Sequence, residues 1–100
     1  MHIIDSSNGG FEWDQIKARL NLRKHDVDFA DVTPVFEDEQ AVTVEDVITA
    51  VDEQRYLTVG TDALSRVLVV AYTWRGDRIR IVSARRASPA ERRQYREKKR

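Results

Sequence analysis

Arg66-Val67-Leu68-Val69-Val70-Ala71-Tyr72-Thr73-Trp74, then Arg75-Gly76-Asp77, then Arg78-Ile79-Arg80-Ile81-Val82-Ser83-Ala84-Arg85-Arg86 is the stretch that decides the fold. Two runs rich in β-branched and aromatic residues, joined by a short glycine-containing link, predict an antiparallel hairpin. Side chains alternate across a strand, so Arg78, Arg80, Val82, Ala84 and Arg86 share one face, and Ile79, Ile81, Ser83 and Arg85 the other. In the preceding strand Arg66, Leu68, Val70, Tyr72 and Trp74 lie opposite Val67, Val69, Ala71 and Thr73. The small, β-branched set Val67, Val69 and Ala71, with Ile79 and Ile81, reads as helix-facing core. That choice groups Arg66, Tyr72, Trp74, Arg78 and Arg80 on an open sheet face.

Working outward, Arg55 to Thr61 and Ala41 to Asp46 read as two further strands, the second by its alternation of Val42 and Val44 with Thr43 and Glu45. Ile48 to Glu53 reads as a loop. Ser88-Pro89-Ala90-Glu91 places an N-cap serine, a first-turn proline and a glutamate three residues on, which predicts a C-terminal helix from Pro89 to near Lys98. Toward the other end, Asp14 caps a helix running to about His25, with Ile16, Leu20 and Arg23 on one side and Lys17, Arg19 and Lys24 on the other. Asp28 caps a second, shorter helix carrying Phe29, Val32 and Phe36, in which Pro34 disturbs the first turns. Phe11-Glu12-Trp13 is a short strand after a polar leader over 1–10, and 97–100 is a frayed tail. The order β-α-α-β-β-β-β-α predicts one α+β domain over 1–100, a mainly antiparallel sheet with helices on one face.

The formal net charge of zero hides a segregation. Residues 75–100 hold 11 cations against Asp77, Glu91 and Glu97, a net of +8, and residues 1–74 hold 6 cations against 14 acids, a net of −8. Two poles suit a protein that meets a polyanion on one side and a different partner on the other. The chain has no cysteine, which excludes disulfides, thiolate nucleophiles and cysteine-ligated zinc and makes a reducing compartment, the cytoplasm, its simplest home. The longest apolar run, Val67 to Tyr72, is too short to cross a bilayer, and residues 1–10 lack a signal peptide's basic start and apolar stretch. No membrane role is expected.

Arginines and rings on one open sheet are what single-stranded RNA needs, because guanidinium groups neutralise phosphates and aromatic faces stack on unpaired bases. Arg78, Arg80, Arg86 and Tyr72 are the RNA contacts this reading selects, with the Lys98-Lys99-Arg100 end adding non-specific attraction. His2 lies in the leader and His25 ends the first helix, where it is placed to act as an acid or base. Glu37-Asp38-Glu39 has no second donor cluster and reads as a solvated loop, so no metal and no cofactor is expected. With no phosphate loop, nucleophile elbow or zinc pattern, the remaining chemistry is metal-free RNA cleavage, in which the ribose 2′-hydroxyl is the nucleophile. Arginines plus one of Lys24, His25, Glu45 or Tyr95 suffice for it. The same parts would equally serve a non-catalytic nucleic-acid-binding or corepressor module.

Phe11-Glu12-Trp13-Asp14, Lys17, Asn21-Leu22-Arg23-Lys24-His25, Val35-Phe36-Glu37-Asp38, Arg55-Tyr56-Leu57 to Gly60, and Arg78 to Ala87 together resemble the BrnT family of toxins from bacterial type II toxin–antitoxin pairs. The similarity spans Phe11 to Tyr95; the Val47 to Glu53 link departs from it. The resemblance implies a RelE-like α+β fold and a ribonuclease that blocks translation and growth. It also implies a BrnA-like ribbon-helix-helix antitoxin, through which alone operator DNA is contacted. By the same resemblance Lys24, His25, Arg66 and Arg80 are the catalytic candidates, with Arg66 and Arg80 holding the phosphate and Lys24 or His25 moving protons. Arg85 and Tyr95 join Arg78, Arg86 and Tyr72 as RNA contacts.

Overall fold

The computed structural model describes residues 2–6, 9–48 and 53–98 of an α+β fold. Strands β1 (His2–Ser6), β2 (Gly9–Trp13), β3 (Val42–Asp46), β4 (Arg55–Thr61), β5 (Val67–Arg75) and β6 (Arg78–Arg86) make one sheet in the order β1-β2-β6-β5-β4-β3. β5 and β6 are the expected hairpin, turning at Gly76, whose φ of +62° a side chain would oppose. β2 runs parallel to β6, with Phe11 opposite Ile79 and Glu12 opposite Arg80, so the sheet is mixed. Residues 2–6, expected in a leader, instead pair with β2 as an edge strand. Most of the expected loop, 49–52, lies outside the described residues, as do Lys99, Arg100 and the side chain of His2.

The expected face assignment is inverted for β5, whereas Ile79 and Ile81 lie in the core as expected. Leu68, Val70 and Tyr72 join Ile79, Ile81 and Ala84 in the main core, over which Trp13, Val27, Phe29, Val32 and Val35 pack. The Tyr72 ring meets Phe36 edge-on at 5.0 Å and stacks on Tyr56 at 5.7 Å, burial that an open sheet face could not offer it. Arg80, opposite Thr73, lies on the other face with Val69 and Ala71. That second face is also covered, because helix α2 (Pro89–Lys98) packs there: Tyr95 and Gln94 border an apolar cavity shared with Val42, Leu57, Val59 and Val69. A strand buried on both sides needs apolar residues at consecutive positions, which is why Val67 to Tyr72 is a run and not an alternation. The helices therefore occupy both faces, not one.

Asp28 caps as expected, accepting from the Ala30 N–H at 3.0 Å, but two 3-10 turns follow, Phe29–Asp31 and Thr33–Glu37, in place of a second helix. Pro34 lacks the N–H that an uninterrupted α-helix would use there. These turns still deliver Phe29, Val32 and Val35 to the core, each fully buried.

Helix α2 begins with the expected reciprocal cap: the Glu91 N–H donates to Ser88 Oγ at 3.2 Å and the Ser88 N–H to Glu91 Oε1 at 2.7 Å. Arg85 grips the same carboxylate through both terminal nitrogens, at 2.8 and 3.0 Å. Hydrogen bonds from Arg85 first, then from the Ser88 N–H, hold the Glu91 carboxyl at about 2, below the 4.5 of a free glutamate. A depressed carboxyl stabilises the fold above its unfolded value and loses that contribution as pH falls toward the folded one. The melting temperature of Glu91→Gln is therefore expected to lie a few degrees below wild type near neutral pH, the gap closing between pH 4.5 and about 2. A gap that is constant across that range, measured by circular dichroism, would contradict the assignment.

Candidate functional site

Helix α1 (Gln15–His25) starts because Asp14 accepts from the N–H groups of Ile16 at 2.8 Å and Lys17 at 3.3 Å, and it stops where Asp26 takes a φ of 57°. The residue it buries is Asn21. β2 pairs with β6 only as far as Glu12 and Arg80, so the β6 edge beyond needs partners for its peptide groups. Asn21 provides them. Its Oδ1 accepts from the Ala84 N–H at 3.0 Å, and its Nδ2 donates to the Ala84 carbonyl at 2.8 Å and to that of Val27 at 3.0 Å. A side-chain amide thus replaces a neighbouring strand. Because this polar contact fixes the helix, Ile16 and Leu20 stay outside, 63% and 56% exposed, contrary to the core-facing stripe the spacing predicts.

Between α1 and β6 runs a groove of about 200 Å³ bordered by Lys17, Leu20, Asn21, Lys24, His25, Val82 and Ser83. A smaller cleft shares Lys17 and Val82 with it and is also bordered by Asp14, Glu53, Arg55, Arg80 and Ile81. Its floor is shaped by a bulge: Ala71 pairs with Ser83 and Tyr72 with Ile81, leaving Val82 without a register partner. Lys17, Lys24 and Arg55 form no ion pair among the described residues. Arg80 is bonded through Nε to Oε2 of the buried Glu12 at 2.9 Å, which fixes the guanidinium and leaves its two terminal nitrogens unbonded among the described residues. Cations facing a trough, one of them held rigidly, can bind phosphate oxygens, and His25 adds a group suited to proton transfer.

The sequence-based candidates divide sharply. Lys24, His25 and Arg80 border this trough. Arg66 does not: its Nε and Nη2 reach Asp62 Oδ2 at 2.9 and 2.7 Å, and its Nη1 reaches the Asp26 carbonyl at 2.9 Å. Alternation along β5 sets Arg66 on the Leu68 side of the sheet, opposite Arg80, so the expected convergence of the two is absent. Arg85 is taken up by Glu91 and Arg86 pairs with Asp26 at 3.2 Å, both at the surface. Arg78 sits at the hairpin end, opposite Gly10 and Arg75.

Tyr72 and Tyr95 are buried, 5% and 4% exposed, so neither ring is open to a base. The Tyr95 hydroxyl donates to Asp38 and lies 3.0 Å from Thr61 Oγ1. Burial and then Asp38 push the tyrosine's pKa up. Burial also acts to raise the Asp38 carboxyl, but hydrogen bonds from Tyr95 and the N–H groups of Gln40 and Thr61 outweigh it and hold that carboxyl below its usual range. Tyr95 thus anchors α2. Sequence reasoning missed Lys17 and Arg55; the spacing of Lys17, Asn21 and Lys24 at i, i+4 and i+7 was the available signal for the first.

Part of the segregated charge is cancelled inside the molecule, since Arg66, Arg75, Arg80, Arg85 and Arg86 each meet a carboxylate. Among the described residues, cations without an ion pair lie on α1, whose Gln15–His25 sequence has Lys17, Arg19, Arg23 and Lys24 and no acid, and on α2, where Arg92, Arg93 and Arg96 border one cavity. Among the described residues no group of three His, Cys, Asp or Glu side chains could hold a metal ion, and no helix is long and apolar enough to cross a membrane.

The chain belongs to the BrnT family, ribonuclease toxins of type II toxin–antitoxin systems, whose family model matches residues 13–91. Its fold is similar to that of the Brucella abortus ribonuclease toxin BrnT, known from a 1.1 Å crystal structure. The TM-score is 0.59 and the identity 25%, over 78% of this chain and 95% of that one. No curated protein matches the chain.

Proposed function

We propose that the chain is a RelE-like, cytoplasmic endoribonuclease that cuts RNA without a metal in the trough between α1 and β6. Cleavage inhibits translation and growth until a BrnA-like ribbon-helix-helix antitoxin neutralises it, and operator DNA is met only through that antitoxin. The observation that supports this reading is that Lys17 and Val82 border both the Lys24–His25 groove and the Arg80 cleft. Arg80, Lys17 and Lys24 neutralise the scissile phosphate. His25 takes part in proton transfer: a base removes the 2′-hydroxyl proton, O2′ attacks phosphorus, the P–O5′ bond breaks and O5′ leaves protonated. The products are a 2′,3′-cyclic phosphate and a 5′-hydroxyl. Arg66 is assigned to the fold.

A single-stranded RNA incubated with the purified protein and EDTA is expected to be cut. Lys24→Ala and His25→Ala should each lower the cleavage rate by roughly 10²-fold while retaining the wild-type circular dichroism spectrum. Undiminished cleavage by both variants would remove the trough from the chemistry. A binding-only module is favoured by one feature, that His25 has no hydrogen-bond partner among the described residues to orient its ring. RNA bound with no products at any protein concentration would select it.

A further inference from the structure

We propose that the outward side of α1 is the docking surface for an acidic helix of the antitoxin that anchors an aliphatic side chain between Ile16 and Leu20 and overhangs the trough. This inference rests on the toxin–antitoxin reading above. Ile16 and Leu20 are one turn apart and more than half exposed, an apolar pair that the fold leaves uncovered. Arg23 and Arg19 flank them, and neither is neutralised by an acid among the described residues. Phosphates would satisfy the cations but bring nothing to two aliphatic side chains. A partner helix with acids beside an apolar stripe satisfies both. Leu20 also borders the groove containing Lys24 and His25, so whatever covers the pair lies at the mouth of the trough and excludes RNA. Another exposed apolar surface, around Val44 at the free edge of β3, is bordered by Glu91 and by no cation that would select an acidic partner.

The test pairs Ile16→Ser with Arg23→Glu, two exposed changes outside the trough, and measures affinity for the antitoxin encoded by the adjoining reading frame alongside RNA cleavage by the free toxin. Binding is expected to weaken roughly 100-fold with cleavage unchanged, so the double variant arrests growth even when the antitoxin is co-expressed. Wild-type affinity in the double variant would overturn the proposal, as would an affinity lost on Val44→Ser but kept in the α1 variant. Cleavage lost with affinity kept would assign this face to RNA and overturn it too. If the wild-type protein cuts no RNA, the ribonuclease reading fails, and the affinity comparison still decides the docking surface.

Discussion

Arg66→Ala is expected to lose about 3–5 kcal/mol of stability, and growth arrest with it, because the change strands a buried negative charge. The Asp62 carboxylate is wholly shielded from solvent, and its ion pair with Arg66 closes at 2.7 Å. The N–H groups of Leu64 and Arg66 also donate to it, at 3.1 and 2.8 Å, but they carry no compensating charge. A small domain has only about 5–15 kcal/mol in total, so the variant should populate unfolded chains. Urea denaturation measures this directly. Adding Asp62→Asn to Arg66→Ala removes the uncompensated charge and should recover part of the loss. If Arg66→Ala instead unfolds at the wild-type midpoint yet no longer cuts RNA, the residue belongs to the chemistry and its assignment to the fold is wrong.

Asn21→Leu should be comparably damaging although the two side chains are similar in size. It strips partners from the Ala84 N–H and from the carbonyls of Ala84 and Val27. At about 1–3 kcal/mol for each buried group left unpaired, the loss is about 3 kcal/mol or more. For a chain of this length that lowers the melting temperature by about 12 °C or more. A scanning-calorimetry shift under 2 °C would show that β6 does not depend on this amide. Because α1 forms one wall of the trough, a partly folded Asn21→Leu protein should also cut RNA poorly.

The local grammar of the chain was largely legible. Arg55 to Thr61 and Arg78 to Arg86 are strands as read, Ser88 caps α2, and Asp14 caps α1, since each depends on neighbours within a few residues. What failed were statements about faces. Alternation divides β5 into two sets without saying which is inside, and here α2 on one face and Tyr72's aromatic neighbours on the other bury both. The bulge at Val82 then shifts the register of every later β6 side chain by one. In α1 the apolar spacing of Ile16 and Leu20 suggested a buried stripe, whereas the decisive contact is an amide bonded to a residue 63 positions away. Lys24, His25 and Arg80 could be named from sequence. Their company with Lys17 and Arg55 needed the fold.

The strand order has a consequence for how the toxin comes into being. β6 lies between β2 and β5, yet both flanking strands precede it in the polypeptide. A chain interrupted before Arg78 has two raw borders and a gap where the middle of the sheet belongs, and it lacks Arg80, Val82 and Ser83 from the trough. Contacts joining Phe11 to Ile79 also require closing a long loop, which delays folding until late. On the function proposed above, a chain still on the ribosome is therefore expected to cut no RNA until its central strand has emerged.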